Sequence, residues 1–238
     1  MCADLAKPQD VITELFDGDE CVRKQFQNAV SAEAIQFGET FAHAFALFTY
    51  FEKLCQGGLQ RAIVGGLMHG VLDDCLTSVK LLLSGKLAPS GNLARQATEG
   101  ICMALMAAHD GDLDFNNGTQ KARYWELVAN DDDRAEGNRA PHQVKANAAS
   151  LGLTTAAAEQ LKNNIALHHP ASHAGRFAMA GRMDLTPGGN VYFGGHFDAA
   201  KLDAYRLELQ DRVGVCKWAH EVMRELAPKV EKLPLDPE

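Results

Sequence analysis

Apolar residues recur along much of the chain at the three-to-four-residue spacing of α-helices. The four phenylalanines of Phe37–Phe48 fall at intervals of four, four and three, which predicts an aromatic stripe on a helix from Ser31 to about Gln56. This stripe is expected in the core. Similar spacing predicts a second helix from about Leu59 to Ser84, which Gly85 ends. A long amphipathic helix is predicted over 202–230.

A third long helix is predicted from about Pro89 to Ala108, and its second half, Ile101–Ala108, is apolar on every side. A helix without a polar face has to be surrounded by protein, so we expect this one to be central. Shorter helices are predicted near 120–128, 142–150 and 156–167. The glycine-rich stretch 186–197 carries the one strand signal, which predicts a small hairpin or an ordered loop. The pattern predicts an all-α, up-and-down helical bundle with an elaborated middle and at most one small β-hairpin.

Neither an internal repeat nor a convincing linker divides the chain. We therefore expect one helical-bundle domain over 1–238. Residues 1–30 are predicted to be an N-terminal extension, and residues 233–238 a frayed tail that contains Pro234 and Pro237. The apolar stripe of the last long helix is more than one bundle is expected to cover, which predicts a homo-oligomer.

Composition narrows the function classes. The net charge is −8, and no long run of lysine and arginine stands out, which disfavours a nucleic-acid surface. The longest apolar run, Ile101–Ala108, has 8 residues, whereas a membrane span needs about 20. The first residues lack a signal-peptide pattern. The six cysteines lie far apart and form no CxxC pair, which predicts reduced thiols and a cytoplasmic protein without a membrane anchor.

The predicted central helix carries a charged pair on the face that leads into the core. Arg95 and Glu99 lie four residues apart, and Cys102, Met103 and Met106 continue that face. A buried charge without a partner is costly, so both groups need partners from elsewhere in the fold. Two interpretations stay open: a structural ion pair, or a cleft in which Arg95 contacts an anion and Glu99 takes part in acid–base chemistry.

Two histidine-containing segments are further candidates. His69 and Asp73 lie four residues apart, a spacing that can hold a metal or let a carboxylate orient an imidazole, although ordinary surface neighbours look the same. The segment His168-His169-Pro170-Ala171-Ser172-His173 has three imidazoles, which can ligate zinc, act as general acid or base, or hold an anion. The alternative is a helix terminus with a packed ring. His69, Asp73, His169 and His173 are the metal candidates.

Several known motifs are incomplete or absent. Asp110-x-Asp112-x-Asp114 starts like a calcium loop, but Phe115 stands where glycine is required and Lys121 where glutamate is required. The glycine-rich stretch 187–195 lacks the ending of a phosphate-binding loop. The chain has no HExxH, GxSxG or paired Glu-x-x-His signature.

Three segments together resemble a broad class of uncharacterised bacterial helical proteins. They are Met68-His69-Gly70-Val71-Leu72-Asp73-Asp74, Leu81-Leu82-Leu83-Ser84-Gly85 and Ala94-Arg95-Gln96-Ala97-Thr98-Glu99, followed downstream by His169-Pro170. The resemblance covers about residues 60–225. Some members of this class are similar to HEPN-type bundles, which include metal-independent ribonucleases and proteins that only bind nucleotides.

The chain departs from HEPN ribonucleases at their signature, an arginine followed after four to six residues by a histidine. In this chain seven residues separate Arg61 from His69, Arg134 from His142 and Arg212 from His220. RNA cleavage is therefore not implied by the resemblance.

Three functions remain as hypotheses. The first is a bundle that binds a small anionic ligand or a protein partner through a cleft formed by Arg95, Glu99 and the 168–173 segment, with Arg95, His169 and Asp73 as contacts. The second is a hydrolase or HEPN-like ribonuclease in which Glu99 and His173 share acid–base duty. The third is a metal-binding bundle.

Overall fold

The computed structural model describes residues 6–115, 118–172, 175–184 and 189–235. Eleven α-helices form within these residues, which confirms the all-α class. They are α1 (Pro8–Leu15), α2 (Glu20–Ala29), α3 (Ser31–Leu54), α4 (Leu59–Leu82), α5 (Leu87–Ala107), α6 (Tyr124–Ala129), α7 (Ala140–Ala146), α8 (Ala148–Leu151), α9 (Thr155–His168), α10 (Arg176–Ala180) and α11 (Leu202–Val230). Two strands, β1 (Leu113–Phe115) and β2 (Gln120–Ala122), and four 3-10 turns, Asp133–Ala135, Gly137–Arg139, His169–Ser172 and Ala199–Lys201, complete the description.

Helix α5 occupies the centre of the bundle, as its apolar second half predicts. It packs along α4 and also contacts α6, α7, α9 and α11, while α3 packs along α11. Met68, Ile101 and Met223 of α4, α5 and α11 are fully buried. Each such side chain stabilises the fold by about 1.5–3 kcal/mol relative to exposure. The burial of these helices against one another positions the polar groups described below.

The small sheet lies at a different place from the predicted hairpin. Strands β1 and β2 pair antiparallel, with Leu113 opposite Ala122. The helix predicted near 120–128 begins only at Tyr124, because Arg123 is extended. Asn147 fixes β1 from outside: its Oδ1 accepts from the Asp114 N–H at 2.8 Å, and its Nδ2 donates to the Asp114 carbonyl at 2.9 Å.

In the stretch predicted to form a hairpin, 186–197, the described residues make one isolated bridge, between Met183 and Val191. Residues 185–188 lie outside the described part. The prediction of at most one small hairpin is confirmed for the described residues. That hairpin is β1–β2, and the described residues of 186–197 fit the alternative prediction of an ordered loop. A glycine-rich segment can be held by close backbone packing instead of strand pairing, and that is the case here.

The aromatic stripe of α3 is core only in part. Phe37 and Phe48 are buried, Phe41 is half-buried and Phe45 is 50% exposed. Successive rings contact each other, and those of Phe41 and Phe45 are stacked with centroids 6.1 Å apart. The expectation that the whole stripe is core is therefore wrong. Two successive four-residue steps turn Phe45 by about 80° away from Phe37, and the three-residue step then returns Phe48 to the buried face.

The predicted N-terminal extension contains two different helices. Helix α2 belongs to the core, since Phe26 is fully buried and its ring lies 5.0 Å from that of Phe197 and 4.7 Å from that of Tyr205. Helix α1 has no buried residue. The boundary at residue 30 therefore does not separate an extension from the bundle.

The predicted frayed tail is docked at its start. Leu233 is buried, and Arg61 of α4 donates from Nε to the Leu233 carbonyl at 3.2 Å and from Nη2 to the Glu231 carbonyl at 3.0 Å. A guanidinium is favourable at the C-terminal end of a helix, where carbonyl groups lack partners. Residues 236–238 lie outside the described part.

The apolar stripe of α11 is covered within the chain. Tyr205, Leu209, Cys216 and Met223 are fully buried, mainly against α3, α4 and α5. The apolar stripe of α11 therefore no longer supports the predicted homo-oligomer, and self-association would need another surface.

One helix in the described ranges, α4, is long and apolar enough to span a membrane by length and composition, with a mean hydropathy of 1.2. It packs in the interior against α5 and α11, and its outer face carries His69, Asp73 and Lys80. These are features of a helix that packs in the interior of a bundle.

Candidate functional site

Arg95 and Glu99 form a largely buried ion pair on α5. Arg95 Nε donates to Glu99 Oε1 at 2.8 Å, and the two side chains are 16% and 12% exposed. Glu99 Oε2 lies 3.1 Å from the point that a Cβ on Gly137 would occupy, so the pair lies beside the 3-10 turn Gly137–Arg139. Because the two charges offset each other, the pair presents no net charge to an anion. The predicted binding and acid–base roles of both residues stay predictions.

The histidine segment packs on α5, one turn before Arg95. Helix α9 ends at His168, and the following 3-10 turn places the Ala171 Cβ 2.7 Å from the point that a Cβ on Gly91 would occupy. The predicted proximity of α5 and this segment is therefore observed, at Gly91. His169 is exposed. His173 lies outside the described residues, so its catalytic and ligating roles stay predictions.

His69 and Asp73 lie on the exposed face of α4, and the His69 ring centroid is 5.9 Å from that of Phe48. Within the described ranges, His69, Asp73 and His169 do not converge into a group of three ligand atoms. The predicted metal set therefore lacks support from its described members, and its completion by His173 stays a prediction.

Asp74, the neighbour of Asp73, provides a prediction about pH. Burial, and then the negative charge of Asp73, raise the pKa of Asp74 to about 6. The folded pKa of Asp74 lies above the unfolded value of about 3.9. The stability of the fold is therefore highest below about pH 4, where the Asp74 carboxyl is protonated, and this stability is lost as pH rises through 6. Asp74→Asn is expected to raise the free energy of unfolding by about 1 kcal/mol at pH 7.5, a value discounted for partial exposure.

Urea denaturation at pH 4 and pH 7.5 tests this expectation. The gain from Asp74→Asn should be confined to pH 7.5, and Asp110→Asn, at an exposed aspartate, should change stability at neither pH. An equal loss of stability from Asp74→Asn at both pH values would show that this carboxyl is stabilising in both protonation states.

The largest fully buried side chain of the described structure is a charged one, Arg212 of α11, which is 1% exposed. Its Nε donates to Ser78 Oγ at 3.1 Å and its Nη2 to Ser90 Oγ at 3.2 Å. Its Nη1 donates to the carbonyl and the carboxylate of Glu208 and forms an ion pair with Asp211 at 3.5 Å. The guanidinium thus joins α11 to α4 and α5, with partners on each of its nitrogens.

Ser78 and Ser90 join α4 to the first turn of α5. Each hydroxyl donates to the other residue's carbonyl at 2.8 Å. Because both hydroxyls also accept from Arg212, the first turn of α5 is held by two other helices, α4 and α11. This arrangement fixes the position and direction of the α5 N-terminus.

Asp211 extends the network to α9. Its Oδ1 accepts from Asn164 Nδ2 at 2.7 Å, and its Oδ2 lies 2.8 Å from His168 Nε2. An ionised carboxylate only accepts, so this contact selects the tautomer with a proton on Nε2. Asn164 Oδ1 in turn accepts from Thr98 Oγ1 of α5 at 2.7 Å. We name Arg212 and the residues it reaches through this chain of contacts, namely Ser78, Ser90, Thr98, Asn164, His168, Glu208 and Asp211, the central network.

The central network contains a carboxylate–imidazole pair, but the pair has no room for a substrate. His168 is 2% exposed, and the far side of its ring faces Gly91, where Nδ1 is 3.8 Å from the point that a Cβ would occupy. Fully satisfied buried polar groups fix the relative positions of helices. We therefore assign the central network a structural role.

A second buried polar cluster surrounds Lys201, just before α11. The buried ammonium donates to the carbonyls of Ala180 (2.8 Å) and Met183, and Asp198 Oδ2 lies 3.6 Å away. His196 Nε2 is 3.4 Å from Lys201 Nζ. The ammonium has three protons, and these acceptors satisfy them.

Asp184, His196 and Asp198 have ligand atoms within 4.8 Å of one another, a set whose residue types suit a metal. The Lys201 ammonium already lies beside two of these three side chains, and its charge opposes a second cation there. Burial, and then the Lys201 charge, lower the pKa of His196, which favours the neutral imidazole. We therefore interpret this cluster as a lysine-centred link between the 180–184 segment and α11.

Two glycines hold this cluster against the turn between α4 and α5. A Cβ on Gly195 would lie 1.6 Å from the Ser84 carbonyl oxygen, and one on Gly85 would lie 2.3 Å from the His196 carbonyl oxygen. Gly85 also has φ +75°, a left-handed conformation that favours glycine. The backbones at 84–85 and 195–196 are therefore in direct contact.

A cleft of about 210 Å³ opens beside this contact, at the start of α5. We name it the α5 cleft. Two cations line it, Lys86 from the α4–α5 turn and Arg182 from the segment after α10. Its other lining residues are Gly85, Leu87, Ala88, Pro89, Ala178, Gly181 and Gly194. Arg182 is exposed and forms no ion pair with any residue in the described ranges. Lys86 pairs with Asp19 at 2.7 Å.

The backbone at the α5 cleft is also polar and open. No side chain caps the N-terminus of α5. Its first hydrogen bond runs from the Ser90 N–H to the Lys86 carbonyl at 3.1 Å, so the N–H groups of Leu87 and Ala88 precede the helical ladder. The start of a helix carries partial positive charge, which favours an anion.

Sequence reasoning missed Arg212, Asp211, Lys86 and Arg182. Arg212 had a visible signal, because it falls on the apolar stripe of α11, between Leu209 and Cys216. Lys86 and Arg182 had none, since they are 96 positions apart and only the fold brings them to one cleft.

No family model, no curated protein and no solved structure matches this chain. A functional assignment therefore depends on the chemistry of the site itself. Of the arrangements described above, the central network and the Lys201 cluster are largely buried, whereas the α5 cleft is open to a ligand.

Proposed function

We propose that this protein binds a small anionic ligand in the α5 cleft, at a group of the size of a phosphate. The observation that carries the proposal is the convergence of Lys86 and Arg182 on one cleft of about 210 Å³. Arginine offers a planar fork of donors that matches phosphate or carboxylate oxygens. Lysine adds a mobile point charge.

The protein architecture supports this site in two ways. The central network holds the first turn of α5 through Ser90, so the N–H groups of Leu87 and Ala88 are held ready for an anion. Glycines at 85, 181 and 194 keep side chains away from the backbone that lines the cleft. A binding site whose donors are already oriented loses less entropy when the ligand binds.

The site differs from the cleft that the sequence predicts around Arg95. The Arg95 charge is offset by Glu99, and the buried His168 is bonded to Asp211. In the α5 cleft the Lys86 charge is offset by Asp19, and the Glu14 carboxylate lies beside the lining residue Gly194. Arg182 is therefore the cleft cation that has no ion-pair partner in the described ranges. Replacing Asp19 should therefore strengthen the site.

We further propose that the protein functions in the cytoplasm. The five cysteines in the described ranges, Cys21, Cys55, Cys75, Cys102 and Cys216, are all free thiols. Free and mostly buried thiols are typical of reducing compartments.

Isothermal titration calorimetry with inorganic phosphate at low ionic strength tests the proposal. We expect binding to the wild type, and Arg182→Gln should raise Kd about tenfold, because a charge-assisted hydrogen bond contributes about 1.5–3 kcal/mol. Lys86→Gln should weaken binding less. Asp19→Asn should tighten it severalfold, and asparagine tolerates the left-handed backbone of this position.

Arg176→Gln is the matched control, because Arg176 is an exposed arginine on α10 that does not line the cleft. It should leave Kd unchanged. Acetate as a second probe distinguishes phosphate recognition from general carboxylate binding. Phosphate affinity that is absent in the wild type, or that falls equally in Arg176→Gln and Arg182→Gln, would contradict the proposal.

A further inference from the structure

A second cleft, of about 460 Å³, opens where α2, the start of α3 and the residue after α4 meet. Small-molecule sites usually have volumes of about 300–1,000 Å³. The residues that line the cleft are Arg23, Phe26, Gln27, Ser31, Ala34, Ile35 and Leu83. We name it the α2–α3 cleft.

Part of this lining is apolar and reaches solvent. Ile35 is 62% exposed although its side chain is large and aliphatic, and Ala34 and Leu83 are half-buried. Phe26, which lines the same cleft, is fully buried, with its ring 4.7 Å from that of Tyr205. The apolar lining is therefore anchored in the core, and a hydrocarbon group that covers Ile35 and Leu83 removes apolar surface from water.

The rest of the lining is polar, and one of its side chains is charged. Arg23 Nε donates to the Gly18 carbonyl at 2.8 Å, which orients the guanidinium. Arg23 forms no ion pair with any residue in the described ranges, and its two Nη groups donate to none of them. Gln27 and Ser31 add an amide and a hydroxyl. A guanidinium offers a planar fork of donors that matches a carboxylate.

The acidic residues within one helical turn of Arg23 and Ser31 are Asp19, Glu20 and Glu33, and none of them lines the cleft. Asp19 and Glu33 each form an ion pair with another cation, at 2.7 Å and 3.2 Å. Glu20 is exposed. Arg23 is therefore the charge that the cleft presents to a ligand.

The backbone at the start of α3 has the same polarity. No side chain of the described residues caps this helix, and its first hydrogen bond runs from the Ala34 N–H to the Val30 carbonyl at 3.0 Å. The N–H groups of Ser31 and Ala32 precede the helical ladder. The start of a helix carries partial positive charge, which adds to the attraction that Arg23 exerts on an anion.

We propose that the α2–α3 cleft binds a small monocarboxylate with a hydrocarbon tail. Its carboxylate contacts Arg23 and Ser31, and its tail covers Ile35 and Leu83. Both halves of the ligand are needed, because a tail without a charge leaves Arg23 without a partner and a carboxylate without a tail leaves Ile35 in water. The inference does not depend on the anion function of the α5 cleft, because the two clefts have no lining residue in common.

Isothermal titration calorimetry of the full chain with sodium octanoate tests the site. Octanoate should bind saturably, and the binding should remain in Arg182→Gln, which alters the α5 cleft alone. Hexanoate should bind more weakly on the order of tenfold, because each buried CH₂ contributes a factor of about four. 1-Octanol, which has the same tail without the charge, should bind at least about tenfold more weakly than octanoate.

Two variants test the two halves of the site separately. Arg23→Gln should raise the Kd of octanoate about tenfold, whereas Lys24→Gln, at an exposed lysine of α2 that does not line the cleft, should leave it unchanged. Ile35→Ser should raise Kd severalfold, and Leu207→Ser, at an exposed leucine of α11, should not. Far-UV circular dichroism should show wild-type helix content in all four variants.

Three outcomes would overturn the proposal: no binding of octanoate to the wild type, equal affinity for octanol and octanoate, or the same Kd in Arg23→Gln as in Lys24→Gln. Octanoate binding that is lost in Arg182→Gln and kept in Arg23→Gln would assign the carboxylate to the α5 cleft, and would overturn it as well. Octanoate binding at Arg23 in a protein that does not bind phosphate would support this inference and contradict the anion function of the α5 cleft.

Discussion

Replacing Arg212 by leucine is expected to lower the free energy of unfolding by about 3–5 kcal/mol, the loss typical when one partner of a buried ion pair is removed. The substitution leaves the carboxylates of Glu208 and Asp211 without their cation, and it deprives the hydroxyls of Ser78 and Ser90 of a donor. A loss of this size is a large part of the total stability of a domain, about 5–15 kcal/mol.

Urea denaturation followed by circular dichroism measures this loss. Arg224→Leu is the matched control, because Arg224 is an exposed arginine of the same helix, and its change should stay within about 0.5 kcal/mol. Arg212→Leu combined with Glu208→Gln should recover part of the loss, because one unpaired carboxylate is removed. If Arg212→Leu is as stable as Arg224→Leu, the central network does not hold the bundle together.

The second large effect is expected for Gly195→Ala. A Cβ at this position would lie 1.6 Å from the Ser84 carbonyl oxygen, far inside the contact distance of two atoms. The 195–196 backbone must therefore move away from the α4–α5 turn. We expect a loss of at least about 3 kcal/mol, at the upper end of the range for overpacked sites. Because Gly194 lines the α5 cleft, phosphate affinity should fall as well.

Thermal and urea unfolding check the effect of Gly195→Ala on stability. Gly214→Ala is its control, because a Cβ at Gly214 in α11 would meet nothing within 4 Å. Alanine there should stabilise the helix by about 0.5–1 kcal/mol. Wild-type stability in Gly195→Ala would show that the 195–196 segment is not packed against Ser84.

The helical part of the fold could be predicted from the sequence because its signals are local. Helices α3 and α4 begin at Ser31 and Leu59, within one residue of their predicted starts, and Gly85 has the left-handed backbone expected of a residue that ends a helix. Periodicity depends on neighbours within one or two turns, which the sequence displays directly. The central position of α5 could be predicted for the same reason, because the absence of a polar face in Ile101–Ala108 is also a local feature of the sequence.

The polar interior could not be predicted in this way. Arg95 and Glu99 attract attention because they lie on one face of one helix, whereas Arg212, Ser78 and Asn164 come from three helices. Their pairing depends on how α4, α9 and α11 are arranged around α5, which is a tertiary property. The sequence does not reveal β1 and β2 for a related reason: short strands gain stability from packing against neighbours such as Asn147, which local patterns do not show.

The anion site illustrates the same limit. The class of ligand could be inferred from an arginine donor, but the arginine singled out was Arg95, which is paired with Glu99. Arg182 lies in a segment with little periodicity. It becomes a candidate anion contact because the fold places it at the same cleft as the N-terminus of α5. A charge in a sequence becomes a candidate contact only when the fold leaves it unpaired beside a cleft.

Backbone amide chemical shifts measured during a titration with inorganic phosphate report on the α5 cleft most directly. The account predicts saturable shifts for the N–H groups of Leu87, Ala88, Gly181 and Gly194, and predicts that Arg182→Gln greatly reduces them. Unchanged shifts at these four amides over the whole titration, or the same shifts in Arg182→Gln as in the wild type, would contradict it.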